Sequence, residues 1–236
     1  MIQPLFFNHQ TENNMQIENK TFAFLEALKN HNDRIWFKEN KPTYDDCLDN
    51  AKSVFTEIFK NLERHDQLEG QKIYRIYRDI RFSKDKTPYN PRFATDFRRL
   101  GNQRSCDYFL QVEPNNSFLI GGLWLPEKDR LLRIRKEIEI DDSEFRALLT
   151  DKNYRHYFGD KFEGEELKTS PKGFDKNHPA IDLLRKKSFL AIRKFTNEEV
   201  LSENFIDEVD QTFIALRPMF DLFSDILSTN LNGESI

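Results

Sequence analysis

An α+β fold is what this sequence predicts, with a central, mostly antiparallel sheet flanked by N-terminal and C-terminal helices. Three observations carry that expectation. Apolar residues recur at helical spacing from Phe22 to Leu62, and again from Phe205 to Leu227. Between those stretches they alternate with polar residues or form short apolar runs bounded by turn residues, as strands do. Helices before and after a block of strands argue for segregated layers rather than alternating βαβ units.

Thr21 is an expected N-cap for a first helix carrying Phe22, Leu25 and Leu28. Asp33 caps a further turn that holds Trp36 and Phe37, both read as core. Pro42 and Thr43 open a longer helix whose stripe is Tyr44, Cys47, Ala51, Val54, Phe55, Ile58 and Leu62. It is expected to end around residues 65–70. Phe93, Thr95 and Phe97 alternate as a strand, as do Tyr108, Leu110 and Val112. Pro114-Asn115-Asn116 turns the chain into an apolar strand over residues 117–125, so a hairpin is expected. Gly121-Gly122 within it is read as a close backbone approach or bend over a helix. Pro126 is placed in the first turn of a helix with Leu131, Ile134 and Ile138, and Asp141-Asp142 caps the next, with Phe145, Leu148 and Leu149. Residues 152–175 read as irregular and residues 188–195 as a strand. Thr196-Asn197-Glu198-Glu199 fits a capping box. A C-terminal helix follows with the stripe Phe205, Val209, Phe213, Leu216, Phe220, Phe223 and Leu227, which Pro218 is expected to kink or break. Residues 230–236 are expected to fray.

A chain of 236 residues can bury a continuous core. With 38% hydrophobic residues, 32% charged residues and 22 Phe, that core leans on aromatic rings. Residues 1–20 are read as a poorly ordered or extended segment, with a short apolar patch of Ile2, Leu5, Phe6 and Phe7. Residues 21–236 are read as one α+β domain, with 196–236 as a candidate helical subdomain. No run approaches the roughly 18 apolar residues of a membrane helix, and no basic leader opens the chain. A cytoplasmic address without membrane association is therefore expected. Cys47 and Cys106 lack CxxC spacing and read as reduced, buried thiols. His9, His31, His65, His156 and His178 lack metal-ligand spacing and read as surface or capping residues. Neither GxxxxGK[ST] nor GxGxxG occurs, so no metal or cofactor is expected.

One stretch stands apart, residues 73–90. Between residues 71 and 105 ten Lys or Arg face three Asp, a net of +7 that leaves −11 for the remainder of a chain whose total is −4. Read as a strand, residues 73–82 present Arg75, Tyr77, Asp79 and Arg81 on one face. The other face carries Tyr74, Ile76, Arg78, Ile80 and Phe82, an apolar set apart from Arg78. A buried Arg78 needs a carboxylate from elsewhere, pinning a helix to the sheet, because an unpaired buried charge is costly.

Trp36-Phe37 with Asn40-Lys41 and Tyr44, the run from Arg75 to Tyr89, Gly121-Gly122 before Pro126, and the segment from Leu167-Lys168 to Pro171-Lys172-Gly173 form a joint pattern. It resembles the bacterial and fungal family catalogued as domain of unknown function number 2461, from about Thr21 to Leu227. The family stretch usually continues from Pro-Tyr into Lys, where this chain has Asn90-Pro91. The resemblance implies a single cytoplasmic α+β domain and a shared role for the central motif, without naming an activity.

The leading reading is binding of a small anionic ligand, phosphate- or carboxylate-bearing, by Arg75, Tyr77, Arg81, Lys84, Lys86 and Tyr89. Planar guanidiniums take such groups bidentately and lysines add mobile charge. An enzyme acting on a phosphorylated or acyl substrate is the second reading, with Asp79 as acid/base and Lys86 or Arg81 holding charge. A Ser83/Lys86 nucleophile pair lacks an assignable oxyanion hole. A nucleic-acid or protein interaction module is the third, against which the net negative charge argues.

Overall fold

The computed structural model describes residues 15–101 and 106–230. The apolar patch of residues 1–14, His9, Arg104 and nearly all of the expected C-terminal fraying lie outside the described residues.

Helix α1 (Asn19–Asn30) buries Phe22, Phe24, Leu25 and Leu28. It begins before the expected cap. Thr21 lies inside its first turn, and the Thr21 hydroxyl donates instead to Asn50 Oδ1 at 2.9 Å. Asn50 Oδ1 also accepts the Glu18 main-chain N–H at 3.1 Å, so a side chain from another helix serves the open end of α1. Helix α2 (Arg34–Glu39) starts at Asp33, whose carboxylate accepts from the Ile35 and Trp36 N–H groups, as expected. Helix α3 (Lys41–Leu62) starts two residues ahead of Thr43, with Pro42 in its first turn. All seven residues of its expected stripe are buried.

Five strands follow: β1 (Leu68–Ile73), β2 (Phe93–Arg99), β3 (Asp107–Val112), β4 (Ser117–Leu123) and, later in the chain, β5 (Phe189–Phe195). They form one antiparallel sheet in the order β1-β2-β3-β4-β5. Between β4 and β5 come α4 (Lys128–Ile140), α5 (Ser143–Thr150), α6 (Lys152–Phe158) and α7 (Ile181–Leu184). Helix α6 corrects the irregular reading of residues 152–175 at its start, where Asp151 accepts the Tyr154 N–H and caps it. Helix α4 starts two residues after Pro126. After β5, α8 (Asn197–Val200) carries the expected capping box, and α9 (Phe205–Ser228) runs unbroken through Pro218.

Inward-facing residues of the sheet meet α3 and α9. Phe97 packs on Phe59 of α3 with ring centroids 6.3 Å apart, and on Phe213 of α9 at 5.6 Å. Tyr108 touches Phe213 at 4.6 Å and Phe220 at 4.7 Å. Gly121 makes this layer fit. A Cβ there would lie 2.7 Å from both Leu216 and Phe220, which is the close approach that the paired glycines signal. The side chains of β4 alternate strictly between buried inward and half-buried outward.

An ionic cluster closes one end of the core. Arg99, at the end of β2, is fully buried and donates Nε–H to Asp66 Oδ2 at 2.8 Å. The Tyr108 hydroxyl donates to the same oxygen at 2.6 Å, and Arg217 of α9 reaches Asp66 Oδ1 at 2.8 Å. This is the buried arginine–carboxylate bridge expected at Arg78, found at Arg99 instead. It ties the segment after α3, the sheet and α9 together.

Of residues 73–82 only Ile73 belongs to a strand. β1 stops at Ile73, and the last ladder bond beyond it runs from the Tyr74 N–H to the Ala94 carbonyl at 2.9 Å. β2 begins at Phe93, just after Pro91, so edge strand β1 has no partner to continue along. The chain therefore leaves the sheet over residues 75–92. The expected apolar face dissolves: Ile76 is buried, but Phe82 is 94% exposed. β1 itself falls where the sequence pattern suggests a helix end.

Removing Asp66 would leave two guanidiniums without their shared carboxylate. Asp66→Ala is expected to lower the unfolding free energy by about 3–5 kcal/mol in urea denaturation. Gly121→Ala should cost about 1–3 kcal/mol by overpacking against α9. Gly70→Ala, where an added Cβ meets nothing within 4 Å, should stay within about 0.5 kcal/mol.

Candidate functional site

The 75–92 excursion is held as a closed loop rather than a free one. Tyr77 and Tyr89 form an isolated antiparallel bridge across its neck. The Arg78 N–H donates to the Pro88 carbonyl at 2.9 Å, and the Asn90 N–H to the Ile76 carbonyl at 2.7 Å. Aromatic rings anchor this neck to the helical layer. Tyr89, 5% exposed, stacks on Phe37 of α2 with centroids 4.0 Å apart, and Tyr77 meets Phe37 edge-on at 5.9 Å. Asn32 completes the clamp: its side chain donates to the Tyr89 carbonyl and accepts the Tyr89 N–H, at 3.0 and 3.1 Å.

The outer part of the loop is tied up by its own charges. Arg78 pairs with Asp85 at 2.5 Å and with the Thr87 hydroxyl, so its partner lies seven residues on and not in a helix. The Thr87 N–H first and Arg78 second hold the Asp85 carboxyl down to a pKa of about 2. Asp79 and Arg81 form an exposed bidentate pair, at 2.9 Å from Nε and 2.7 Å from Nη2. Arg81 thereby holds the Asp79 carboxyl below its ordinary range, the direction opposite to that of a neutral-pH base. The Lys86 ammonium donates to the Ile80 carbonyl at 3.0 Å. Lys86 also lines a broad cleft against α2 with Asp33, Arg34 and Trp36. Lys84 is exposed and has no partner among the described residues.

Arg75 and Tyr77 lie elsewhere, at the root of the loop. There a cavity of about 260 Å³ is lined by Lys72, Tyr74, Arg75, Tyr77, Asn90 and Arg92. Arg75 makes no hydrogen bond or ion pair among the described residues. Arg92 is steadied by Gln111, a fully buried residue of β3. The Lys72 ammonium sits 4.7 Å above the Tyr74 ring. Three cations and two phenols thus line a recess at the sheet edge, a geometry suited to a carboxylate or a phosphate.

Of the residues expected to bind, the structure brings Arg75 and Tyr77 together in this recess. It sets Arg81 and Lys84 on the outer loop, Lys86 against the α2 cleft, and Tyr89 in the core. Lys72, Tyr74 and Arg92 are the members that sequence reasoning missed. Arg92 belongs to the same basic window, but its convergence with Arg75 requires the loop to close on itself. Among the described residues no three His, Cys, Asp or Glu side chains gather to hold a metal. No helix among them is long and apolar enough to cross a membrane. Cys47 and Cys106 are free and buried.

The family model described as a conserved hypothetical protein (DUF2461) matches residues 20–222. No curated protein matches the chain, and no solved structure does.

The loop's internal clamp has a pH signature. Asp85 titrates at about 2 in the folded chain, below its ordinary 3.8. Its ordering of the loop is therefore fully present above 3.8 and lost as pH falls through about 2. Carboxyl-carbon NMR should place the Asp85 midpoint near 2, and Arg78→Ala should move that midpoint upward.

Proposed function

The chain belongs to the DUF2461 family, and from the recess at its sheet edge we propose that it binds a small anion bearing a phosphate or carboxylate. The observation that carries this reading is Arg75, a guanidinium with no partner among the described residues, facing a recess that it shares with Arg92, Lys72 and Tyr77. Guanidiniums without a protein partner retain all their donors for a planar or tetrahedral anion. Arg92 is already oriented by Gln111, which reduces the ordering cost on binding. Arg81, Lys84 and Lys86, on the outer loop, supply a positive field that draws anions toward the recess. The catalytic reading of Asp79 has less support, because Arg81 occupies both carboxylate oxygens. A reducing, cytoplasmic compartment accords with two free, buried thiols.

Thermal unfolding with inorganic phosphate, pyrophosphate or citrate tests this reading. At a hundredfold excess over Kd the bound state should gain about 2.7 kcal/mol, which raises Tm by several degrees. Arg75→Ala should abolish the shift, and Lys161→Ala, on a distant exposed turn, should leave it intact. No shift with any of the three anions, or an undiminished shift in Arg75→Ala, would overturn the reading.

A further inference from the structure

The face of the sheet turned away from α3 and α9 carries the wrong residues for open water. An antiparallel sheet packed on one side normally presents polar residues on the other. Here the outward positions of β3, β4 and β5 include Phe109, Phe118, Ile120 and Ile192, and Trp124 beyond β4 is 70% exposed. These side chains wall a trough of about 700 Å³. That is within the range of roughly 300–1,000 Å³ typical of small-molecule sites. Tyr74 stands between the trough and the cationic recess and lines both. Its ring meets Phe109 edge-on at 6.0 Å, and Phe109 meets Phe118 at 5.8 Å, giving a continuous aromatic floor leading away from Arg75.

The charges of the two compartments are opposite. Asp96 and Asp107 line the trough, with Lys194 as the one cation lining it among the described residues. Asp96 accepts the Tyr74 hydroxyl and lies opposite Lys72 on β1, and Asp107 accepts the Arg99 main-chain N–H at 3.1 Å. A carboxylate offers about four lone-pair sites, so Asp96, which accepts the Tyr74 hydroxyl, can also accept from an N–H donor entering the trough. A plain hydrocarbon tail would make no use of that acceptor. A planar ring with N–H donors on its edge serves it while stacking on the aromatic floor.

We infer that the trough holds the base of a nucleoside phosphate whose phosphate occupies the recess at Arg75. This extends the anion-binding reading and rests on it. From the β1 edge to β3 is two interstrand steps, about 10 Å, comparable with the span from base to 5′-phosphate. The aromatic floor takes the ring face, Asp96 takes the donor edge, and Arg75, Arg92 and Lys72 take the phosphate.

Trp124 provides the readout. Trp36 and Trp124 are the only tryptophans, so Trp36→Phe isolates its fluorescence. AMP and GMP should change Trp124 emission saturably, and inorganic phosphate should not. By calorimetry, nucleotide affinity should fall at least tenfold in Trp124→Ala, whose exposed side chain is not needed for folding, and at least tenfold in Arg75→Ala. If phosphate binds with Arg75 dependence while neither nucleotide moves Trp124 emission, the nucleotide assignment is overturned and anion binding stands alone. If neither phosphate nor nucleotide binds, both readings fall. Binding of single-stranded oligonucleotides without binding of mononucleotides would also overturn the inference.

Discussion

Asp66 is the constraint on which the rest of the structure depends. It follows α3 and receives Arg99 from β2, Tyr108 from β3 and Arg217 from α9, all within hydrogen-bond distance. Burying Arg99 completely is tolerable only because this carboxylate stands beside it, with Asp221 at 3.3 Å and the Phe220 ring beneath the guanidinium. The arrangement specifies geometry more than it supplies net stability, because desolvation offsets much of the Coulomb attraction. Only one placement of α9 over β2 and β3 lets two guanidiniums and a phenol share a carboxylate. Burial first, then the Asp66 charge, push the Tyr108 phenol far above its ordinary pKa, so it stays a donor at physiological pH.

With α9 set by this cluster, the aromatic layer beneath it fills in. Gly121 lets Leu216 and Phe220 descend onto β4, and Phe97, Tyr108 and Phe213 close the space around them. This saturates one face of the sheet. The opposite face is left uncovered, with Tyr74 and Trp124 exposed there, because the helices packed on the sheet are committed to the inner side. The functional readings for the recess and the trough follow from that asymmetry, in which a tightly packed inner layer leaves an outer surface that is apolar and open.

The motif loop depends on the same economy. Once β1 runs out of partner at Phe93, the chain between residues 75 and 92 must satisfy its own backbone and charges. It does so with Asp85 on Arg78 and Asp79 on Arg81, and with Tyr89 stacked against Phe37. Two of the stretch's arginines, Arg78 and Arg81, are therefore neutralised internally. Arg75, at the loop's root, has no partner among the described residues and lines the recess.

The sequence by itself determined the layers. The stripes of α3 and α9, the alternation in β2 and β3, the Asp33 cap, the box at Thr196 and the glycine pair of β4 are local patterns, each set by backbone geometry within a few residues. Tertiary structure decided the pairings. Nothing local separates Arg99 from Arg78, since both sit among apolar neighbours. One is buried because Asp66 and α9 meet there, and the other is half-exposed because a loop supplies its partner. Thr21 is a cap by its type and a cross-helix donor by its neighbour Asn50. Residues 73–82 have the composition of a strand and, past Ile73, become a loop, because strand formation requires a partner and β2 does not extend that far. Burial, pairing and convergence depend on groups distant in sequence, so the recess at Arg75 and the trough beyond Tyr74 emerge only once the chain has folded.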